Sequence, residues 1–171
     1  MRSFVLLFIL LLAQAGAAET VLPDVLDSPE LVGSGQYRLM LMKIYEAELY
    51  SNDGEFDVSQ PFALKLTYSR KLKGEAITDK SVDLIRRQGI EDEDVLAAWY
   101  QELADIFPDV KKGTEIVGAH EAGVGASFYV DGEFVGKIVD PALCESFFGI
   151  WLGQDTVAPR LRSDLLNLTT D

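Results

Sequence analysis

Histidine and cysteine are almost missing from this chain of 171 residues, which holds one of each, His120 and Cys144. One histidine excludes metal sites built on histidine pairs and leaves any Ser-His-Asp triad dependent on His120. That residue sits among Gly118, Ala119, Glu121 and Gly123 with no nucleophile elbow beside it, and it reads as an ordinary loop histidine. One thiol cannot close an internal disulfide, so packing alone must stabilise the fold, and Cys144 reads as a small buried hydrophobe. Basic side chains are scarce too, 15 against 28 acidic ones, for a formal net charge of −13. A surface that negative repels phosphate, so nucleic acid and anionic membrane surfaces are set aside as partners. The basic runs, at residues 69–73, Arg86-Arg87 and Lys111-Lys112, are short and read as solvated.

Other familiar sites are missing as well. The acids at residues 91–94 lack the alternating ligands and bend glycine of a calcium loop and run straight into a helical pattern. Gly33 and Gly35 precede a strand instead of joining a strand to a helix, so they read as backbone turns and not as a phosphate loop. No catalytic constellation, metal site or cofactor is expected.

Residues 1–18 are distinctive. Arg2 comes first, then an uncharged apolar run over residues 4–13, then the small residues Ala15, Gly16, Ala17 and Ala18. This is the order of a secretory signal peptide, and its apolar core falls short of the roughly 20 residues a spanning helix needs. Cleavage after Ala17 or Ala18 suits the peptidase. Cutting after Ala18 leaves residues 19–171, enough for one domain, with a charge of −14 once Arg2 is gone. No later apolar run could cross a membrane, so stable insertion after cleavage is not expected.

Residues 37–50 read as strand, with Tyr45, Ala47 and Leu49 alternating with Glu46 and Glu48. Residues 39–42 are apolar on both faces, which predicts entry into the middle of a sheet. After the turn cluster at 51–54, Phe62, Leu64, Leu66 and Tyr68 alternate with Ala63, Lys65, Thr67 and Ser69 in a second strand. The period then changes. Ile77, Val82, Leu84 and Ile85 suggest a helix ending near Gly89, and Val95, Leu96, Trp99, Tyr100, Leu103, Ile106 and Phe107 share the face of another, opened by the four acids and stopped at Pro108. Strands resume at 114–119, and segments 126–130 and 133–139 flank Asp131-Gly132, a hairpin signal that would set Phe128 opposite Val135 and Tyr129 opposite Phe134. Asp140 as cap, Pro141 at the first turn and a stripe of Leu143, Phe147, Ile150 and Trp151 ended by Gly153 predict a helix, and a last one follows over about 157–167. The whole is α+β, a largely antiparallel sheet covered by helices.

An aromatic and basic set is left over: Tyr37, Arg38, Tyr45, Tyr68, Arg70, Trp99 and Trp151. Tyrosines pointing to one side of adjacent strands can line a cleft for a small apolar ligand, and the same residues can equally serve as core aromatics.

Four segments resemble, in order and spacing, the bacterial chalcone isomerase-like proteins: residues 31–35, 43–50, 107–113 and 147–153. The likeness runs over about residues 31–168. It implies an open-faced β-sandwich, an antiparallel sheet with a layer of helices over one face, and kinship with plant isomerases and plastid fatty-acid-binding proteins. The plant isomerases use an arginine just after a Gly-x-Gly, a threonine on the next strand and a tyrosine near the start of the middle helix. Those positions fall here on Tyr37, Tyr45 and near Glu91. Arg38 stands one residue late, on the opposite strand face unless a bulge intervenes. The departures argue against flavonoid cyclisation. The fatty-acid-binding relatives hold a carboxylate with an arginine and a tyrosine, a task open here to Tyr37, Tyr45, Tyr68, Arg38 and Arg70.

The expectation is therefore an exported domain, periplasmic if the source is Gram-negative, that binds a fatty acid or another small apolar molecule without catalysis. Two alternatives stay open: an isomerase or intramolecular lyase using tyrosine hydroxyls, and a structural or partner-binding domain with no small ligand.

Overall fold

The computed structural model describes residue 22 and residues 24–168. The leader expected over residues 1–18 lies outside the described residues. Six strands follow one another as an antiparallel meander in the order β1 to β6: β1 Glu30–Leu39, β2 Met42–Ser51, β3 Phe62–Tyr68, β4 Glu115–Glu121, β5 Gly125–Val130 and β6 Glu133–Ile138. Two helices, α1 Gly74–Arg86 and α2 Glu93–Ile106, are inserted between β3 and β4, and α3 Pro141–Leu152 and α4 Pro159–Leu165 close the chain.

The period-2 patterns decide which face of the sheet the helices cover. Ala47, Leu49, Leu64 and Leu66 are buried beneath the helices, and cross-strand pairing keeps Ala47 beside Leu66 and Leu49 beside Leu64. The alternate set, Glu48, Lys65 and Tyr50, lies on the other face, where Lys65 Nζ reaches Glu48 Oε2 at 2.5 Å. Part of that face is closed by Leu22, Val25 and Leu26, which pack on Ala63 and Val117. α3 is apolar nearly all round, because it lies between the sheet and the other helices, with Leu143, Phe147, Phe148 and Trp151 all buried.

Four expectations need correction. Residues 37–50 are not one strand. They form a hairpin with Leu39 opposite Met42, and Met40 and Leu41 turn the chain in solvent instead of entering the sheet. The apolar run hid the turn, because neither residue is a turn former. Gly33 and Gly35 are not turns but lie inside β1, where a Cβ would come within 2.3 Å of Asp164 O and 2.7 Å of Leu161 Cδ1 respectively. They are bare because α4 rests directly on the strand. Phe128 faces Gly136 and not Val135, since a bulge shifts the register between Phe128 and Tyr129, while Tyr129 does face Phe134. His120 is no loop residue: it lies in β4 with its ring stacked 4.5 Å from that of Phe62.

The helix caps agree with the sequence reading. Asp92 accepts from the amides of Asp94 and Val95, so the acid run supplies the cap of α2 and two acids of its first turn. Asp140 accepts from the amides of Ala142 and Leu143 at the start of α3, and its other oxygen accepts from Trp99 Nε1 at 3.0 Å, tying α2 to α3. The Trp99 bond is the main reason that the Asp140 carboxyl is held below its usual range.

Replacing Asp140 with Ala removes the cap and strands a part-buried indole N–H, at an expected cost of about 2 kcal/mol. The midpoint of urea unfolding measures it, and Asp140→Asn, which keeps a capping oxygen, is expected to restore most of the loss. His120 gives a second test. Burial lowers its pKa below the ordinary 6.5, so folding favours the neutral ring. Its contribution is complete above the unfolded value and is lost as the pH falls through it toward the lower folded one. Stability measured by urea unfolding should therefore drop as the pH falls below about 6.5, and His120→Asn should flatten that slope.

Candidate functional site

Tyr37, Tyr45 and Tyr68 are brought together by strand register. Tyr37 of β1 pairs with Tyr45 of β2, which pairs with Tyr68 of β3, so one side chain from each strand points beneath the helices in a row across the sheet. The rings of Tyr37 and Tyr45 stack at 5.2 Å, and Tyr45 meets Tyr68 edge-on at 5.8 Å. Trp151 of α3 closes the row from above, its Nε1 donating to Tyr45 Oη at 2.9 Å.

The row forms part of the wall of a cavity of about 410 Å³ bounded by the sheet, α1 and α3. Its depth is apolar: Leu64, Leu66, Ile116, Phe128 and Phe147 line the floor and inner wall. Ile77, Ser81 and Leu84 of α1 form the roof, and Leu39 and Val157 stand at the rim. The hollow exists because α1 packs on α2 and α3 instead of on the strands. Its start is pinned by Asp109, whose Oδ1 accepts from the Gly74 amide at 3.1 Å, and its far end by Gln88, whose Nε2 donates to Ser146 O at 2.8 Å. α1 thus crosses the hollow as a beam held at both ends.

The chemistry inside is that of neutral hydroxyls. Burial pushes the Tyr45 and Tyr68 hydroxyls far above the usual 10.0. For Tyr45 the bond from Trp151 pulls the other way, and the neighbouring Tyr68 and Tyr37 add to the rise. Neither is available as a base near neutral pH. Because the Tyr45 oxygen accepts from Trp151, its proton is free to be donated into the cavity. Among the described residues the one charged lining residue is Lys80, at the rim, where its half-exposed ammonium pairs with Asp83 at 2.8 Å.

Arg38 and Arg70 do not line the cavity. A bulge does intervene in the β1–β2 register between Tyr37 and Arg38, but the Arg38 guanidinium stays in solvent and donates to Gln36 Oε1 at 3.0 Å. Arg70 Nη1 lies 2.8 Å from Met42 Sδ, a weak acceptor. Trp99 serves α2 and Asp140 and lies away from the hollow. Cys144 is buried, with its thiol pushed up to about 11 by desolvation, which leaves it inert as a nucleophile. The roof residues of α1 were missed in the sequence. Their signal was the spacing Ile77, Ser81, Leu84, a stripe with a hydroxyl in it, weak beside the stripe of α2.

A larger hollow of about 540 Å³ lies on the opposite face of the sheet, between the segment around Val25 and strands β5 and β6. It is an open trough lined in part by Asp24, Glu121 and Lys137, far from the tyrosine row. Among the described residues no group of three or more His, Cys, Asp or Glu side chains is placed to hold a metal ion, and no helix is long and apolar enough to cross a membrane.

No curated protein matches the chain. Among solved structures, a fatty-acid binding protein of Arabidopsis thaliana superposes with a TM-score of 0.64 at 16% identity, covering 82% of this chain and 88% of its own. At that identity the likeness concerns the fold, and it is the same α+β arrangement of open sheet and one-sided helical layer. Residues 26–167 match the family described as chalcone isomerase-like, a span that takes in all six strands and all four helices. With the sheet, the helical cover and the sequence match in agreement, the chain belongs to the chalcone isomerase-like family.

Proposed function

We propose that this chain is an exported, non-catalytic binding domain that holds a fatty acid or another small, largely apolar molecule in the hollow beneath α1. The observation that carries this reading is the wall itself, a cavity of about 410 Å³ lined mainly by aliphatic and aromatic side chains, with Lys80 at its rim the only charge among the described residues. The fatty-acid binding protein that shares the fold supports the same ligand class. By the resemblance, the arginine and threonine positions of the plant isomerases fall on Tyr37 and Tyr45, and the buried, protonated Tyr45 is a poor base, which favours binding over turnover. Export rests on the order of residues 1–18, and a periplasmic location on a Gram-negative source.

The walls also suggest how a ligand would lie. Each buried methylene contributes about 0.8 kcal/mol, so an alkyl chain pointing inward supplies most of the affinity. A carboxylate would find no cation in the depth and belongs at the rim beside Lys80, whereas a neutral hydroxyl or carbonyl can accept from Tyr45 inside.

Native mass spectrometry of protein purified from its own host, with thermal shifts across a fatty-acid chain-length series, tests the reading. Bound ligand and a melting temperature that climbs with chain length until the hollow is full are expected. Tyr45→Phe should weaken a fatty alcohol by about fivefold, the worth of one neutral hydrogen bond. Lys80→Ala should weaken the acid by up to about fivefold and leave the matching alcohol unchanged, since an exposed pair contributes little. Protein recovered without ligand, and unmoved by every chain length, would reject the proposal.

A further inference from the structure

The β1–β2 hairpin ends in four consecutive apolar side chains in solvent: Leu39, Met40, Leu41 and Met42 are 53, 87, 92 and 47% exposed. A two-residue turn favours Asn-Gly, which adopts positive φ freely and is well solvated. Met40 instead takes φ +57, so the sequence accepts backbone strain and exposed hydrocarbon at the same place. The other exposed large hydrophobics, such as Val58, Val124 and Phe134, are scattered and ordinary. This tip is contiguous with the cavity mouth, because Leu39, and likewise Val157 at 51% exposure, is both a lining residue and a surface one.

Charge is sorted along the sheet in the same sense. The hairpin tip and the β3–α1 and α2–β4 connections meet at one end, since the Ser69 amide bonds to Ile44 O, Leu72 bridges Val110, and the Gly113 amide bonds to Tyr68 O. Their segments, 38–43, 69–73 and 109–113, hold seven of the chain's 15 basic residues and one acid, Asp109, which is paired to Lys73, while Lys43 is paired to Glu46 just beyond them at 2.6 Å. At the opposite end, segments 24–30, 52–61 and 121–125 hold seven acids and no Lys or Arg. Glu115, Asp131 and Glu133 share the basic end but sit on the β4–β6 side, with β5 three strands from β2, or about 14 Å. The net charge of −13 that argued against an anionic surface is therefore reversed locally around the tip.

We propose that this end of the molecule docks on an anionic lipid bilayer, the Leu39–Met42 tip entering the headgroup layer while Arg38, Arg70, Lys71, Lys111 and Lys112 meet the lipid phosphates. An apolar loop ringed by cations is the footprint of a peripheral, reversible membrane contact. It turns the cavity mouth toward the lipid, so that an apolar molecule can pass between membrane and hollow without crossing water. The docking rests on the tip and the charges, and needs no ligand in the cavity.

A chain beginning at Glu19 keeps every described residue, and flotation with vesicles tests it. Binding to phosphatidylcholine vesicles containing phosphatidylglycerol is expected at low salt, about tenfold weaker in high salt or on phosphatidylcholine alone. Met40→Asp with Leu41→Asp should abolish it, and Arg38→Glu with Arg70→Glu should weaken it about tenfold or more, while Val124→Asp at the opposite end changes nothing. Circular dichroism melts establish that each variant is folded. No flotation with the anionic vesicles, or flotation that the double Asp variant retains, would overturn the proposal. So would a concentration-dependent dimer dissolved by that variant, which assigns the tip to a second copy of the chain. Any of these results would leave the ligand-binding reading standing, because that reading is measured without lipid.

Discussion

The way α1 is suspended governs the rest of the structure. Helices that cover a sheet ordinarily press an apolar face onto it, and α3 and α4 do so here. α1 is held instead by Asp109 at its first amide and by the Gln88 bond to the α3 backbone at its end, with Gly149 leaving room for the Gln88 amide where the two helices cross. The space beneath it is a consequence of that suspension. A close-packed interior would have filled it with side chains.

Within that space, strand register does what a motif does in other sites. Three tyrosines that stand far apart in sequence become neighbours because β1, β2 and β3 pair at Tyr37, Tyr45 and Tyr68. Burial keeps the Tyr45 and Tyr68 hydroxyls protonated, and the Trp151 indole engages the Tyr45 oxygen as an acceptor. The Arg38 and Arg70 guanidiniums, which the resemblance offered for a carboxylate clamp, are outside the hollow.

The sequence announced the elements better than their joints. Strong alternation at 62–69, the stripe of α2, the Asp140-Pro141 start of α3 and the Asp131-Gly132 turn were legible because each is a local pattern. The tyrosine row was legible as a set, since period-2 alternation already assigned Tyr45 and Tyr68 to a face. What escaped depended on contacts between distant segments. Gly33 and Gly35 looked like turn glycines until α4 lay on them, the β5–β6 bulge moved Phe128 by one partner, and His120 looked idle because Phe62, its stacking partner, is remote in sequence. The Met40-Leu41 turn escaped for a different reason: it breaks the usual rule that turns are polar.

The single thiol described above has a practical corollary. With Cys144 buried within α3 and no internal disulfide to close, the fold needs no oxidising step to form. The same burial makes the sulfur a built-in clock. An alkylating reagent can reach it only when the packing around α3 loosens, so the pace of labelling reports how often that part of the core opens.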